Sequence, residues 1–314
     1  MTRANPLPRR HLIRAGLAIA TATVATAATG APAASAVPGA VTADPQADTR
    51  ADMGAELSDL EQRYGARLGV YGHNPRTGLT VTYRAEERFA MCSTFKAFAA
   101  AAVLRDHGDC APLDKVIHYP PHDILPNSQK SQDHLATGMS VGDLCAATIQ
   151  YSDNTAGNLL LRQLGGPAGL TRFFRSLGDR VSRLDRWETD LNTAVPGDPR
   201  DTTTPEAIGR SFERLTLGRA LDDTAREQYL TWLKGNTTST GRFGAGLPRG
   251  WVLGDKTGTG DYATANDIGV AWTTRKTPVV LAVLSTKATQ DAPVDEALIA
   301  DTARVLARVL APGE

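Results

Sequence analysis

Strand-like segments lie in two groups far apart in this 314-residue chain, and a helical stretch fills the sequence between them. Arg67 to His73 and Leu79 to Tyr83 flank the turn Asn74-Pro75-Arg76-Thr77-Gly78, so the first pair reads as a hairpin. From Trp251 the apolar pattern takes period two. Val252 to Lys256, Asp267 to Thr273 and Val279 to Thr286 read as strands, the last two as a hairpin. Met53 to Tyr64 carries Leu57, Leu60 and Tyr64 at helical spacing, and Val294 to Leu310 is an amphipathic helix. The order predicts an α+β fold: an antiparallel sheet of about five strands flanked by the N- and C-terminal helices, with an all-helical lobe inserted. The α/β lobe takes residues 51–110 and 234–314, the helical lobe residues 111–233.

Cap residues divide the middle. Ser93 opens a long Ala-rich helix to about Arg105. Ser140 starts a helix to Gln150, and Asp153 to Leu164 carries an apolar stripe. Gly165-Gly166-Pro167 stops that helix, Pro167 to Leu177 forms the next, and Thr204-Pro205-Glu206 is a helix start with proline in the first turn.

The first 36 residues are set apart. Arg3, Arg9, Arg10 and Arg14 precede the apolar run Ala15 to Ala28, no acid occurs before Asp44, and Ala34-Ser35-Ala36 is a small-x-small cleavage site. This is the layout of an export signal, and Arg9-Arg10 before His11-Leu12-Ile13 resembles a twin-arginine signal. The run is short and Ala/Thr-rich, which argues against a membrane anchor. Residues 37–50 lack periodicity and read as a flexible leader. The expectation is a secreted protein with no membrane attachment after export. Without the four signal arginines, 30 basic residues face 34 acidic ones, a net charge of about −4. That balance gives nucleic acid no basic surface to bind. Three cysteines, Cys92, Cys110 and Cys145, are too few for a disulfide framework, and their spacing leaves the pairing of Cys110 with Cys145 open.

Three short motifs carry chemistry: Ser93-Thr94-Phe95-Lys96, Ser152-Asp153-Asn154 and Lys256-Thr257-Gly258. They supply a nucleophilic hydroxyl, an amine one helical turn from it, a second hydroxyl for proton relay and a second amine. Serine acyl transfer without a histidine base needs that set. Each motif alone has a plain structural reading as a cap, a snorkelling lysine or a solvated strand lysine; the ordered trio does not. Metal chemistry has little support, because Pro120 and Pro121 keep His118 and His122 from sharing a helix face. The absence of a G-x-S-x-G elbow argues against an α/β-hydrolase.

The trio resembles that of class A β-lactamases and penicillin-binding proteins. Arg186-Trp187-Glu188-Thr189-Asp190-Leu191-Asn192 is similar to the omega loop of class A enzymes, Arg-x-Glu-x-x-Leu-Asn, and the likeness runs from about Asp52 to the C-terminus. The resemblance implies a serine hydrolase that opens the β-lactam ring of penicillins and some cephalosporins through an acyl-enzyme on Ser93, giving antibiotic resistance. Lys96, or Glu188 through a water, would accept the serine proton. Ser152 would relay a proton to the lactam nitrogen, and Glu188 would activate the deacylating water with Asn192 holding it. The N–H groups of Ser93 and Thr259 would form the oxyanion hole. Lys256 and Thr257 would meet the substrate carboxylate, Gly258 would let it approach, and Asn154 would meet its amide. Asp153 and Arg186 would be structural. No cofactor and no metal are implied, and the protein would act as a monomer on a small molecule.

Departures from the family pattern are specific. Thr189 stands where many members have proline after a cis peptide, and Asn127 replaces an aromatic wall. Ala265 stands where many carry an arginine, for which Arg242 is the candidate substitute. Ala100 leaves Cys145 without the partner some relatives give it. Gly260 leaves Cys92 without the disulfide of many carbapenem-hydrolysing members, so carbapenems are expected to be poor substrates. The alternatives are a D-alanyl-D-alanine carboxypeptidase or other non-hydrolytic penicillin-binding protein, and a non-catalytic sensor.

Overall fold

The computed structural model describes residues 45–106 and 112–314. The expected export signal, residues 37–44 of the leader and Cys110 lie outside the described residues. The described part opens with α1 (Pro45–Tyr64), which begins within the stretch read as leader, then β1 (Arg67–Asn74) and β2 (Leu79–Tyr83). A short β3 (Phe89–Ala90) leads through one 3-10 turn, Cys92–Thr94, into α2 (Phe95–Asp106). The middle holds β4 (Val116–Ile117), α3 (Gln129–Asp133), β5 (Met139–Ser140), α4 (Val141–Gln150), α5 (Asn154–Gln163) and α6 (Gly166–Ser176). After these come β6 (Thr202–Thr203), α7 (Pro205–Thr216), α8 (Asp223–Lys234) and the short α9 (Phe243–Gly246). The final elements are β7 (Val252–Gly260), β8 (Thr264–Trp272), β9 (Pro278–Thr286) and α10 (Glu296–Leu310).

The five long strands form one antiparallel sheet in the order β2-β1-β9-β8-β7. Its N-terminal hairpin pairs with β9, the last strand, through contacts such as Val70 opposite Val283, so distant parts of the sequence close on each other. Alternate residues of β9 enter two different cores. Val279, Leu281 and Val283 meet α1 and α10, whereas Val280, Ala282 and Leu284 face the helical lobe. A strand buried on both faces needs apolar residues on both, so β9 is a continuous apolar run.

α2 is the post around which the helical lobe packs. Every residue from Phe95 to Val103 is buried, against α4, α5, α6 and α8. Such a helix shows no amphipathic stripe because no face meets water. Its run of alanines admits close neighbours, while Phe98 fills the larger gap, its ring centroid 4.8 Å from that of Phe174 and 6.2 Å from that of Phe212. The expected caps form: Ser140 accepts from Asp143 N at 3.0 Å, Asp153 from Ala156 N at 2.9 Å and Thr204 from Ala207 N at 3.2 Å.

Two local expectations shift. Ser93 lies in the 3-10 turn before α2, one step earlier than a helical position. Lys256-Thr257-Gly258 lies inside β7, which continues to Gly260 because its ladder with β8 persists through Gly260 opposite Thr264. Phe98→Ala should cost about 3–5 kcal/mol of unfolding free energy, as expected for deletion of a fully buried ring. Urea denaturation at constant m-value checks this.

Candidate active site

The site forms where α2, the turn before α5, the loop 186–194 and the edge strand β7 converge. A cavity of about 430 Å³ opens there, lined among others by Ser93, Ser152, Asn154, Thr257, Thr259 and Arg242. Gly258 permits this convergence. A Cβ at that position would lie 2.9 Å from Met91 O and 3.2 Å from Thr94 N, so the missing side chain lets the Ser93 turn pack against β7. The space beside Gly258 is thus filled by protein.

Lys96 is the hub. Its amine is fully buried and donates to Asn154 Oδ1 at 2.6 Å, to Ser152 O at 2.7 Å and to Glu188 Oε1 at 3.0 Å, with Ser152 Oγ at 3.4 Å. Ser93 Oγ donates to the same Glu188 oxygen at 3.3 Å. Burial lowers the Lys96 pKa from the usual lysine range, and the Glu188 carboxylate opposes that shift. Lys256, also fully buried, donates to Ser152 Oγ at 3.1 Å and Thr257 O at 2.8 Å. Its pKa is pushed well down by burial and then by the charge of Lys96. Ser152 stands between the two amines with φ at 55°. A non-glycine residue in that region costs about 1–2 kcal/mol.

Glu188 is positioned by its loop. Asn158 on α5 accepts from Glu188 N at 3.0 Å and donates to Glu188 O at 3.0 Å, clamping the backbone on both sides. The loop's neck is closed by buried Asp201, which accepts from Asp185 N, Arg186 N and the Arg186 guanidinium at 2.7, 2.9 and 2.6 Å. The Glu188–Thr189 peptide is cis, without proline. Asn192 Nδ2 donates to Glu188 Oε2 at 2.5 Å, and Asn192 Oδ1 is buried with no protein partner.

Arg242 is buried, not a solvated loop residue. Its guanidinium donates to Glu296 Oε1 at 3.1 Å, to Gly258 O and Asn266 O at 2.8 Å each, and to Thr259 Oγ1 at 2.6 Å. Gly258 and Asn266 are directly opposite on β7 and β8, so the arginine staples that rung. One of its five N–H groups stays uncommitted. Asn154 Nδ2 donates to Pro126 O at 2.7 Å, which leaves one amide hydrogen for a ligand. Asn127 takes a bracing part: its side chain donates to Ser152 O at 3.1 Å and its carbonyl accepts from Asn154 N. Cys92 and Cys145 are buried free thiols. A Cβ on Gly260 would stand 2.7 Å from the Cys92 sulfur, so those two positions do adjoin.

Sequence reasoning passed over Asn158, Tyr151 and Thr238. Asn158 follows Asn154 by four residues, one helical turn, which was the available signal. Tyr151 is 42% exposed at the mouth, an aromatic surface beside the cavity. Thr238 Oγ1 lies 2.5 Å from Thr257 Oγ1.

A buried serine, two amines around a second hydroxyl, and a carboxylate shared between the first serine and a lysine are the groups of a serine hydrolase working through an acyl-enzyme. The model of the Beta-lactamase enzyme family matches residues 52–310, and the chain belongs to that family. Carbapenem-hydrolyzing beta-lactamase KPC of Klebsiella oxytoca is 52% identical over 251 residues, which cover 79% of this chain and 86% of that protein. Beta-lactamase AST-1 of Nocardia asteroides is 47% identical over 303 residues, 96% of each chain. The solved beta-lactamase from Streptomyces albus G superposes with a TM-score of 0.81 at 52% identity, covering 82% of this chain and 99% of that one.

Lys256→Met tests the electrostatics. A buried lysine with a lowered pKa binds fewer protons than it does unfolded, so its penalty is full at low pH and fades as pH rises toward the usual lysine range. The variant should be more stable than the parent at pH 6 by about 1–4 kcal/mol, with the gap narrowing toward pH 10. Denaturant melts across that range check it.

Proposed function

We propose that the protein opens the β-lactam ring of penicillins and some cephalosporins by acylation and hydrolysis at Ser93, giving antibiotic resistance. The observation that carries this reading is the Glu188 carboxylate, one oxygen facing the nucleophile and the other held by Asn192. Ser93 Oγ attacks the lactam carbonyl while its proton passes to Glu188 Oε1. The N–H groups of Ser93 and Thr259 stabilise the oxyanion, a role in which one donor is worth about 3 kcal/mol in other enzymes. Glu188 then returns the proton to Lys96 as Lys96 gives one to Ser152 and Ser152 gives one to the lactam nitrogen. The links at 3.3, 3.0 and 3.4 Å support that relay. The C–N bond breaks, and Glu188 is again a carboxylate.

That regeneration is what hydrolysis needs. A water between Glu188 and the ester gives its proton to the carboxylate, with Asn192 Oδ1 as its second acceptor. The ester bond breaks and Ser93 recovers its proton. Lys256, Thr257 and Thr259 hold the substrate carboxylate, with Arg242 fixing Thr259 and offering one N–H, and Asn154 meets the side-chain amide. Carbapenems turn over more slowly than penicillins, because Gly260 gives Cys92 no disulfide to brace the site. We infer export by the twin-arginine route, supported by Arg9-Arg10 and the run after them, and action as a monomer. Among the described residues no helix is long and apolar enough to cross a membrane.

Glu188→Ala should accumulate a stable penicilloyl adduct on Ser93, visible by mass spectrometry, with kcat lowered by about 10²–10⁴. A variant that turned over as fast as the parent would exclude this role for Glu188. A parent that gave only one turnover would be a penicillin-binding peptidase instead.

A further inference from the structure

Beneath the carboxylate-binding end of the site lie two aspartates that the mechanism does not use. Asp255 on β7 and Asp267 on β8 are both buried, 2% and 0% exposed, on one face of the sheet. Thr257 is opposite Asp267 and Asp255 is opposite Gly269, so the two carboxyls are diagonal neighbours across the ladder. Each spends one oxygen on a partner. Asp255 Oδ1 accepts from Asn236 Nδ2 at 3.0 Å, and Asp267 Oδ2 accepts from Phe243 N at 3.1 Å. The remaining oxygens, Asp255 Oδ2 and Asp267 Oδ1, are buried and have no donor. The two side chains are within hydrogen-bonding reach of each other.

Two ionised carboxylates facing each other without a donor would repel in a dry interior, and one shared proton removes the conflict. We propose that Asp255 and Asp267 hold a single proton between them and act, through Asn236 and Thr238, as positioning residues for the hydroxyl with which Thr257 meets a substrate carboxylate. This deepens the reading of the site given above and rests on it for the identity of the ligand. Burial raises both carboxyls above the ordinary aspartate range, and the charge of Asp255 raises Asp267 further. Hydrogen bonds from Asn236 and Ser239 and then the charge of Lys256 pull Asp255 the other way, as the charge of Arg242 and the Phe243 N–H do Asp267.

The polarity of the chain follows step by step. The shared proton lies between Asp255 Oδ2 and Asp267 Oδ1, so Asp255 Oδ1 is a bare acceptor. Asn236 must therefore turn its NH2 toward it and its carbonyl oxygen away. That oxygen accepts from Thr238 Oγ1 at 2.8 Å and from Thr238 N at 3.1 Å. Thr238 has then spent its only hydroxyl proton, so at 2.5 Å from Thr257 Oγ1 it can only accept. The Thr257 proton is held in the cavity on a neutral acceptor. A carboxylate binds such a proton more strongly than a hydroxyl oxygen does, so the incoming ligand captures it by one rotation of the hydroxyl.

Two measurements test the proposal without requiring turnover. Infrared spectra of the mature protein at pH 8 should contain a protonated-carboxyl carbonyl band that is absent from Asp255→Asn and from Asp267→Asn. No such band in the parent, or a band unchanged in both variants, overturns the shared proton; the parent spectrum decides even if a variant fails to fold. In a Ser93→Ala background, Asn236→Leu should weaken binding of a penicillin about tenfold, the worth of one hydrogen bond to a charged group. Binding of the same penicillin's methyl ester should be unchanged. Equal losses for acid and ester, or no loss for either, overturn the positioning role. Intact penicillin binding in a parent that never releases product would sink the hydrolytic reading alone.

Discussion

The contact between Lys96 and Glu188 holds the site together. Both side chains are fully shielded from water, their charged atoms 3.0 Å apart. Taking two ions into the interior costs several kcal/mol each before any attraction is counted. The arrangement survives because the ammonium's three donors meet three oxygens, those of Glu188, Ser152 and Asn154, and because Glu188 has Ser93 and Asn192 as further donors. Loss of any one partner leaves a buried charge partly unsatisfied, so the residues behave as a unit. The pair also joins α2 to a loop more than 90 residues away in sequence, and that junction sets Ser93 Oγ and the Glu188 carboxylate at one spacing.

What the fold adds is a way to bring the turn before α5 and the strand β7 within reach of that pair. α2 needs to be buried all round so that Lys96 emerges into protein, not water. β7 needs to be an edge strand, since only an edge leaves backbone groups for a ligand. Gly258 reconciles the two, because any side chain there would separate the strand from the Ser93 turn.

Much of this was legible in the residues. Period-two and period-3.6 patterns gave the sheet and its flanking helices, because burial on one side writes itself into the sequence. Ser140, Asp153 and Thr204 marked helix starts through local hydrogen bonds that need no tertiary knowledge. Positions that depend on distant contacts were harder. The one-turn spacing from Asn154 puts Asn158 on the same helix face but does not tell what it meets, and it grips the Glu188 backbone N–H and C=O. Arg242 is legible as a substitute for the arginine missing at Ala265 but not as a buried staple, because its four acceptors come from β7, β8 and α10. Asn236 is one polar residue in a polar loop, and only the fold turns its amide inward to Asp255.

Beyond the Lys96–Glu188 pair, three polar anchors hold the loop bearing Glu188, none of them covalent. Asn158 ties it to the helical lobe, Asp201 closes its neck, and Asp261 N donates to Asn192 O at 2.9 Å beside the end of β7. Cys92 lies next to that last anchor, with glycine where a second sulfur would cross-link it. A neutral hydrogen bond contributes about 0.5–1.5 kcal/mol, against about 2–4 for a disulfide. The sheet-side anchor is therefore the weakest of the three, and it holds Asn192, whose amide nitrogen grips Glu188 Oε2. Under the mechanism proposed above, discrimination among lactams turns on whether the acyl group leaves that anchor closed.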